Sequence, residues 1–243
     1  MCIRDRVLGE NHPDTLGTMH NLALAYDRQG KCRDAEDLFK QCLDKRKLVL
    51  GESHPDTLST MNNLAATYYS QEKYREAADL FKQCLAKRKV ILGENHPDTL
   101  NTMNNLANAY SNQRKYRDAE ILLKLCLDKR KEEVGENHLD TVGTMNNLAL
   151  TYNSQRKFRK AELLYKRSLD KTKLVLGNNH PDTLGTMNNL ADCYFNQEKF
   201  SDAEVLYKKC LDKRILVLGQ YHPDTFRTKN SLSNTRLAQI KFE

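Results

Sequence analysis

Six glycines recur at a fixed spacing of 42 residues along this chain of 243 residues. They are Gly9, Gly51, Gly93, Gly135, Gly177 and Gly219. Around each one runs nearly the same phrase, Leu-Gly-Glu-Asn-His-Pro-Asp-Thr-Leu, followed by Thr-Met-Asn-Asn-Leu-Ala and a tyrosine. A fixed period of about 20 to 50 residues is typical of repeat proteins, in which each repeat buries its apolar face only against its neighbours. The spacing therefore predicts an extended binding surface and disfavours an enzyme.

The glycines also define the domain organisation. We assign residues 7–243 to a single repeat domain, with repeats at 9–50, 51–92, 93–134, 135–176 and 177–218 and a terminal helix in 219–243. Residues 1–6 do not follow the repeat and read like a translated adapter end, so we expect a non-native scar and a protein that begins upstream. In the terminal helix, Lys229, Ser233 and Arg236 replace apolar residues, which is typical of a solvent-facing cap.

Within residues 51–92 the apolar residues follow two helical stripes. The first stripe contains Leu58, Met61, Leu64, Ala65 and Tyr68, and the second contains Tyr74, Ala77, Leu80, Phe81, Cys84, Leu85 and Ile91. Pro55 at the first helical position and Asp56 in the first turn indicate where the first helix begins. Each repeat is therefore predicted to be two antiparallel helices, A and B, and no strand pattern occurs in the sequence, so the fold is predicted to be all-α.

The pattern Met61-x-x-Leu64-Ala65-x-x-Tyr68, followed by Ala77-x-x-x-Phe81, resembles the tetratricopeptide repeat, with Met in place of Trp and Ala in place of Gly. The long form, with His-Pro-Asp-Thr and Asn-Asn-Leu-Ala, is similar to the repeats of kinesin light chains and nephrocystin-3-like proteins. The resemblance implies a right-handed superhelical solenoid of antiparallel helix pairs, in which the A helices line a concave groove.

By this resemblance, the candidate peptide-binding residues lie on the A helices. One row of asparagines comprises Asn21, Asn63, Asn105, Asn147 and Asn189, and a second row one position earlier comprises Asn62, Asn104, Asn146 and Asn188. Positions that vary between repeats are Leu24, Ala66, Asn108, Leu150 and Asp192, together with Tyr69 and Phe195. An amide both donates and accepts hydrogen bonds, which suits an extended peptide backbone. The alternatives are that the first row ties each A helix to its neighbour's backbone and that the variable positions are ordinary surface.

Histidine and cysteine recur with the same period, and neither is predicted to bind a metal. One histidine per repeat cannot surround an ion, so a capping role before proline is favoured for His12, His54, His96, His138, His180 and His222. The cysteines in repeat phase, Cys42, Cys84, Cys126 and Cys210, are expected to be buried thiols in a helix contact, in a reducing compartment. No catalytic motif and no cofactor site is predicted.

The net charge of +7 raises the alternative of nucleic-acid binding. However, the triplets Lys45-Arg46-Lys47, Lys87-Arg88-Lys89 and Lys129-Arg130-Lys131 fall at the ends of B helices, where they are predicted to form a solvated face that complements the helix dipole. No nucleic-acid-reading motif occurs, and no apolar run reaches the roughly 18 residues of a membrane span. Neither nucleic acid nor membrane is expected as a partner, and a cytoplasmic location is expected.

The sequence thus predicts an interaction scaffold that binds a peptide segment of a partner protein. The resemblance permits a kinesin light chain-like cargo adaptor, which would join a kinesin heavy chain through a heptad coiled coil upstream of residue 1. An alternative is the sensor or regulatory arm of a larger signalling ATPase, which an ATP-binding signature upstream would favour. A catalytic fragment is the remote alternative.

Overall fold

A computed structural model describes the backbone of residues 8–242 and the side chains of residues 8–240. The A helices are α1 (Pro13–Arg28), α3 (Pro55–Ser70), α5 (Pro97–Asn112), α7 (Leu139–Ser154), α9 (Pro181–Asn196) and α11 (Pro223–Phe242). The B helices are α2 (Cys32–Leu50), α4 (Tyr74–Ile91), α6 (Tyr116–Val134), α8 (Phe158–Leu176) and α10 (Phe200–Leu218). The described residues contain no strand, which confirms the all-α prediction. The expected scar, residues 1–6, lies outside the described residues.

The chain forms two compact units, residues 1–118 (unit 1) and residues 119–243 (unit 2), and the boundary falls within α6. In unit 1, helices α1 to α5 pack in chain order, each against the next. In unit 2, helices α7 to α11 do the same. The assignment of residues 7–243 to one domain stays a prediction.

Within each unit the A helices lie closer together than the B helices. In unit 1, α1 contacts α3 and α3 contacts α5, while no such contact joins α2 to α4 among the described residues. Unit 2 repeats the pattern, with contacts from α7 to α9 and from α9 to α11 but none from α8 to α10. Since a stack of helix pairs curves toward the side where its helices are closer, the A helices form the inner face of each unit.

The core is a narrow seam between A and B helices. Met61 and Leu64 of α3 are buried, as are Phe81 and Cys84 of α4. Full burial of a side chain of this size contributes about 1.5–3 kcal/mol. Ile91 is 43% exposed, so its assignment to the seam was wrong. Equivalent residues Val49, Val175 and Val217 are similarly exposed, because the last turn of the B helix extends beyond the seam.

Two positions in each repeat have a backbone conformation with positive φ. The repeat glycine ends the B helix, as at Gly51, where φ is +91° and the N–H donates to the Lys47 carbonyl at 3.1 Å. The turn between A and B helices also needs positive φ, which repeat 1 supplies with Gly30 (φ +74°). Later repeats place non-glycine residues there, namely Glu72, Arg114, Arg156 and Glu198, with φ from 59° to 62°. An L-residue in this region costs about 1–2 kcal/mol.

The polar replacements in the last A helix face solvent. Lys229, Ser233 and Arg236 of α11 are exposed, whereas Leu232 between them is buried. The Arg236 Nε donates to Glu204 Oε1 of α10 at 2.7 Å. The exposure that was predicted for these three residues is confirmed.

Candidate functional site

The A helices begin in the same way, after a histidine that caps the N-terminus of the helix. The His54 Nδ1 accepts a hydrogen bond from the Asp56 N–H at 3.1 Å, which satisfies an N–H that the helix itself cannot pair. His12, His96, His138, His180 and His222 make the same bond at 3.1–3.2 Å. His138 caps in this way even though Leu139 replaces the proline, so the predicted capping role is confirmed.

The earlier asparagine row connects neighbouring repeats. The Asn62 Oδ1 accepts from the Thr102 hydroxyl at 3.2 Å, and the Asn188 Oδ1 accepts from the Thr228 hydroxyl at 2.9 Å. Asn146 contacts Thr186 at 2.9 Å but as a donor, through its Nδ2. Asn104 occupies the same position of α5 and is half-buried. These hydrogen bonds favour a packing role for the row, directed at a side chain and not at the backbone.

The other asparagine row, one position later in each repeat, lies at the surface of the inner face. Asn21 is exposed, whereas Asn63, Asn105, Asn147 and Asn189 are half-buried. The Asn63 amide lies 3.2 Å from the His20 Nε2. Within the part of the chain that is described, the Asn105 and Asn189 amides make no hydrogen bond with protein, so they remain able to bind a ligand.

The variable positions differ in their exposure and in how much they contact other residues of the protein. Leu24 packs against the buried cluster of repeats 1 and 2, while Leu150 is 48% exposed. Ala66 and Asn108 are half-buried. Asp192 is engaged within the repeat, because its carboxylate accepts from the Tyr207 hydroxyl and from the Asn188 Nδ2. Burial raises the pKa of Asp192, and the Tyr207 hydrogen bond opposes that change.

The two aromatic candidates lie near the turn between A and B helices. Tyr69 makes an edge-to-face contact with Tyr74 at 5.3 Å, and Phe195 makes the same contact with Phe200 at 5.5 Å. The Tyr69 hydroxyl also accepts from the Asn112 Nδ2 of the next repeat at 2.6 Å. Both rings are half-buried.

The sequence interpretation missed a set of buried arginines. The middle residue of each basic triplet was expected in solvent, yet Arg88 is only 5% exposed. Its Nη1 donates to the Asp98 carbonyl at 2.9 Å and to the Thr102 hydroxyl at 2.8 Å, both on the next A helix. Arg46, Arg130 and Arg214 make the equivalent two bonds. The prediction of a solvated face was therefore wrong for Arg46, Arg88 and Arg130.

Arginine, threonine and asparagine together form a short hydrogen-bond chain through three helices. In unit 1, Arg88 of α4 donates to Thr102 of α5, which donates to Asn62 of α3. In unit 2, Arg214 of α10 donates to Thr228 of α11, which donates to Asn188 of α9. The sequence does contain a signal for this chain, because arginine and threonine recur in the same phase. The fourth repeat breaks it, with Thr172 in the arginine position.

Two clefts open on the inner face at equivalent positions three repeats apart. The unit-1 cleft, of about 430 Å³, is lined by Pro13, Asp14, Gly17, Thr18, His20, Asn21, Arg46, Asp56 and Ser59. The unit-2 cleft, of about 490 Å³, is lined by residues from α7 to α11 that include Gly143, Asn146, Asn147, Thr172, Gly185 and Asn189. Both clefts contain members of the asparagine rows, and neither contains Tyr69 or Phe195.

Other chemistry finds little support in the described residues. Among them, no three His, Cys, Asp or Glu side chains are placed to hold a metal ion together.

The cysteines in repeat phase, Cys42, Cys84, Cys126 and Cys210, are buried thiols, and burial raises the pKa of each. The Cys84 Sγ donates to the Leu58 carbonyl of its partner helix at 3.3 Å, which confirms the predicted packing role. No helix in the described residues has the length and apolar character that crossing a membrane requires.

Comparison with known proteins identifies the repeat. Family models of the tetratricopeptide repeat match residues 15–56, 57–98, 98–173 and 144–215. No curated protein matches the chain significantly.

Three solved structures show similar folds. A single-substitution variant of a kinesin light chain-like protein of Podosopora anserina, with nearly identical TPR-like repeats, has a TM-score of 0.72 and 24% identity, covering 85% of this chain and 98% of that chain. BtubC (BKLC) from P. vanneervenii has a TM-score of 0.71 and 24% identity, covering 90% and 89%. Apo RapI has a TM-score of 0.63 and 14% identity, covering 89% and 62%. At these identities the likeness is one of fold.

Proposed function

Because this chain belongs to the tetratricopeptide repeat family, we propose that it is a non-catalytic scaffold that binds a peptide segment of a partner protein on its inner face. The observation that carries this proposal is the contact between successive A helices, which makes them the inner surface of each unit. Helical repeats commonly use such a surface to bind partners. The two clefts on this face supply depth for individual side chains of the peptide.

The chemistry of the inner face supports a peptide as the ligand. Asn105 and Asn189 lie half-buried on this face, and neither amide has a hydrogen-bond partner among the described residues. Each amide can donate to a peptide carbonyl and accept from a peptide N–H, so recognition of the backbone does not depend on the peptide's sequence. Selectivity between peptides would come from positions that differ between repeats, such as Ala66, Asn108 and Leu150.

A more specific form of the proposal is a kinesin light chain-like cargo adaptor in the cytoplasm. It is supported by the 42-residue form of the repeat and by the similar fold of the Podosopora anserina protein. A kinesin heavy chain would then bind a region outside residues 1–243, and cargo would bind the inner face. The buried cysteines suit a reducing compartment, which supports the cytoplasmic location.

The proposal predicts that binding and stability depend on different asparagines. In a selection from a random peptide library, wild-type protein should enrich peptides. N105A/N189A should bind them about fivefold to 150-fold more weakly, because it loses two hydrogen bonds of about 0.5–1.5 kcal/mol each. Its circular dichroism and melting temperature should remain those of the wild type, because neither amide forms a hydrogen bond with another described residue.

The matched control is N62A/N188A, which removes two amides from the row that contacts threonine. This variant should melt at a lower temperature. If N105A/N189A lost helicity, or bound the selected peptides as tightly as the wild type, these amides would not be the binding groups. Failure of the wild type to select any peptide would refute the scaffold function itself.

A further inference from the structure

The clefts of the two units are copies of one another that differ at a few positions. Arg46 of the unit-1 cleft corresponds to Thr172 of the unit-2 cleft, and Ser59 corresponds to Gly185. In the unit-1 cleft the guanidinium of Arg46 lies against Asp56 and Thr60 of the next A helix. Thr172 is too short to reach there, and its hydroxyl donates instead to the Leu169 carbonyl of its own helix at 3.1 Å. The described residues of the unit-2 cleft therefore place no guanidinium in the position that the Arg46 guanidinium takes in the unit-1 cleft.

The groups that receive the guanidinium are nevertheless present in the unit-2 cleft. At the four junctions with arginine, Nη1 lies 2.7–2.9 Å from an aspartate carbonyl and 2.6–2.8 Å from a threonine hydroxyl. The corresponding groups here are the Asp182 carbonyl and the Thr186 hydroxyl, and both residues line the cleft. The Thr186 hydroxyl donates to the Asp182 carbonyl at 3.0 Å, just as Thr60 donates to Asp56, so the local geometry is the same.

Asn146 adds a third polar group to the unit-2 cleft. Its Nδ2 donates to the Thr186 hydroxyl at 2.9 Å. The Asn146 Oδ1 is buried and has no hydrogen-bond partner among the described residues. A buried acceptor without a partner costs about 1–3 kcal/mol, which an incoming donor would recover. The cleft therefore contains the two acceptors that receive a guanidinium at the other junctions, the Asp182 carbonyl and the Thr186 hydroxyl, and a third acceptor, the Asn146 Oδ1.

The unit-2 cleft also has the space and charge that such a donor requires. A Cβ added to Gly143 or Gly185 would meet no atom within 4 Å, so both sides of the opening are clear. The Asp182 side chain, 74% exposed, adds a carboxylate at the opening. The two cations that line the cleft are already engaged, since Arg227 pairs with the Asp224 carboxylate at 3.2 Å and Arg214 donates to the Asp224 carbonyl at 2.8 Å.

We infer that the unit-2 cleft binds the guanidinium of an arginine side chain of the bound partner, in the position that a cis arginine takes at the other junctions. The inference rests on the proposed peptide-binding function and adds to it a defined subsite and a preferred residue. Arginine is favoured over lysine because a guanidinium is more weakly hydrated than an ammonium, and because the planar Nη1 group of an arginine makes both hydrogen bonds, to the carbonyl and to the hydroxyl, at the other junctions.

The first test uses ethylguanidinium as the probe on the full chain, followed by ¹⁵N–¹H NMR. Millimolar ethylguanidinium should produce saturable shifts of the Asn146 and Thr186 amides, and ethylammonium should bind about tenfold more weakly, since its ammonium group is more strongly hydrated and its N–H donors are not planar. T172R should remove the saturable shifts, because its own guanidinium fills the subsite. Absence of saturable shifts in the wild type, or equal shifts in T172R, would overturn the inference.

A second variant, which creates the subsite in unit 1, keeps the inference testable if T172R does not fold. H20N/R46T gives the unit-1 cleft the two residues of the unit-2 cleft, so ethylguanidinium should then also shift the Thr60 amide. A double variant that folds, as judged by circular dichroism, and shows no saturable shift at Thr60 would contradict the inference even if T172R failed to fold.

Paired peptides separate the inference from the proposed function. Library peptides selected by the wild type should contain arginine, and its replacement by lysine or alanine should weaken binding about tenfold for wild type and not for T172R. Peptides that bind with no arginine preference would refute the inference and leave the scaffold function standing. Saturable ethylguanidinium binding without any selected peptide would refute the scaffold function and retain the subsite.

Discussion

Replacing Arg88 by threonine should destabilise unit 1, because it transfers the environment of Thr172 to a junction that normally has a guanidinium. The variant removes the two hydrogen bonds from Nη1 to the Asp98 carbonyl and the Thr102 hydroxyl, at 2.9 and 2.8 Å. Hydrogen bonds from a charged donor contribute about 1.5–3 kcal/mol each. The gross loss is therefore about 3–6 kcal/mol.

Part of this loss is offset by the cost of burying the guanidinium. Arg88 is 5% exposed, and its Nε is buried with no hydrogen-bond partner in the described part of the chain. Removing a buried charge of this kind recovers part of its desolvation cost. We therefore expect the free energy of unfolding to fall by about 2–3 kcal/mol, near the low end of the gross loss.

Urea unfolding followed by circular dichroism measures this change. With a slope of about 1–3 kcal/mol per molar urea, the midpoint of R88T should fall by about 1 M. The matched control is R75T, on the same helix α4, where the arginine is exposed and has no ion pair within the described residues. If the midpoint of R88T fell no further than that of R75T, the buried guanidinium would not stabilise the junction and the reasoning would be refuted.

Two further predictions concern a titrating histidine and a strained turn. Burial, with a contribution from Arg46, lowers the pKa of His20 from 6.5 to about 4, so the unfolded chain binds the proton more readily between these values. The stability that neutral His20 contributes is complete above pH 6.5 and is lost as the pH falls to about 4. The free energy of unfolding of H20N should therefore fall less between pH 7 and pH 5 than that of the wild type. Equal falls in the urea midpoint of the two proteins would contradict this. E72G and R156G should each raise the free energy of unfolding by about 0.5–1 kcal/mol, because glycine accepts the positive φ that Gly30 already has in repeat 1. A melting temperature that stays constant or falls in these glycine variants would show that the turn is not strained.

The sequence was sufficient to predict what is local to one repeat. Both helices, the histidine cap and the buried phase of Met61 and Phe81 follow from a 3.6-residue period and from helix-terminus chemistry, which depend on near neighbours in the chain. Cys84 was recognised as a packing residue because a thiol in repeat phase on an apolar stripe needs no other explanation.

The contacts between repeats could not be predicted in the same way. Arg88 lies between two lysines at a helix end, a position where all three cations are expected in solvent. Its burial is favourable because of the Asp98 carbonyl and the Thr102 hydroxyl, which belong to the next repeat. The two asparagine rows presented a similar difficulty. Asn62 and Asn63 are adjacent and identical in type, so only the packing of α3 against α5 determines which of them contacts Thr102.

The contacts between repeats recur at constant sequence separations, 14 residues from arginine to threonine, 10 from arginine to the aspartate carbonyl and 40 from asparagine to threonine. A one-residue insertion between two partners would put that junction out of register. Duplication or loss of a whole 42-residue segment, by contrast, would join two ends that already match. Such an array can change length by recombination between its own repeats without a new interface having to evolve. Thr172 makes the junction between the fourth and fifth repeats chemically different from the four junctions that have an arginine.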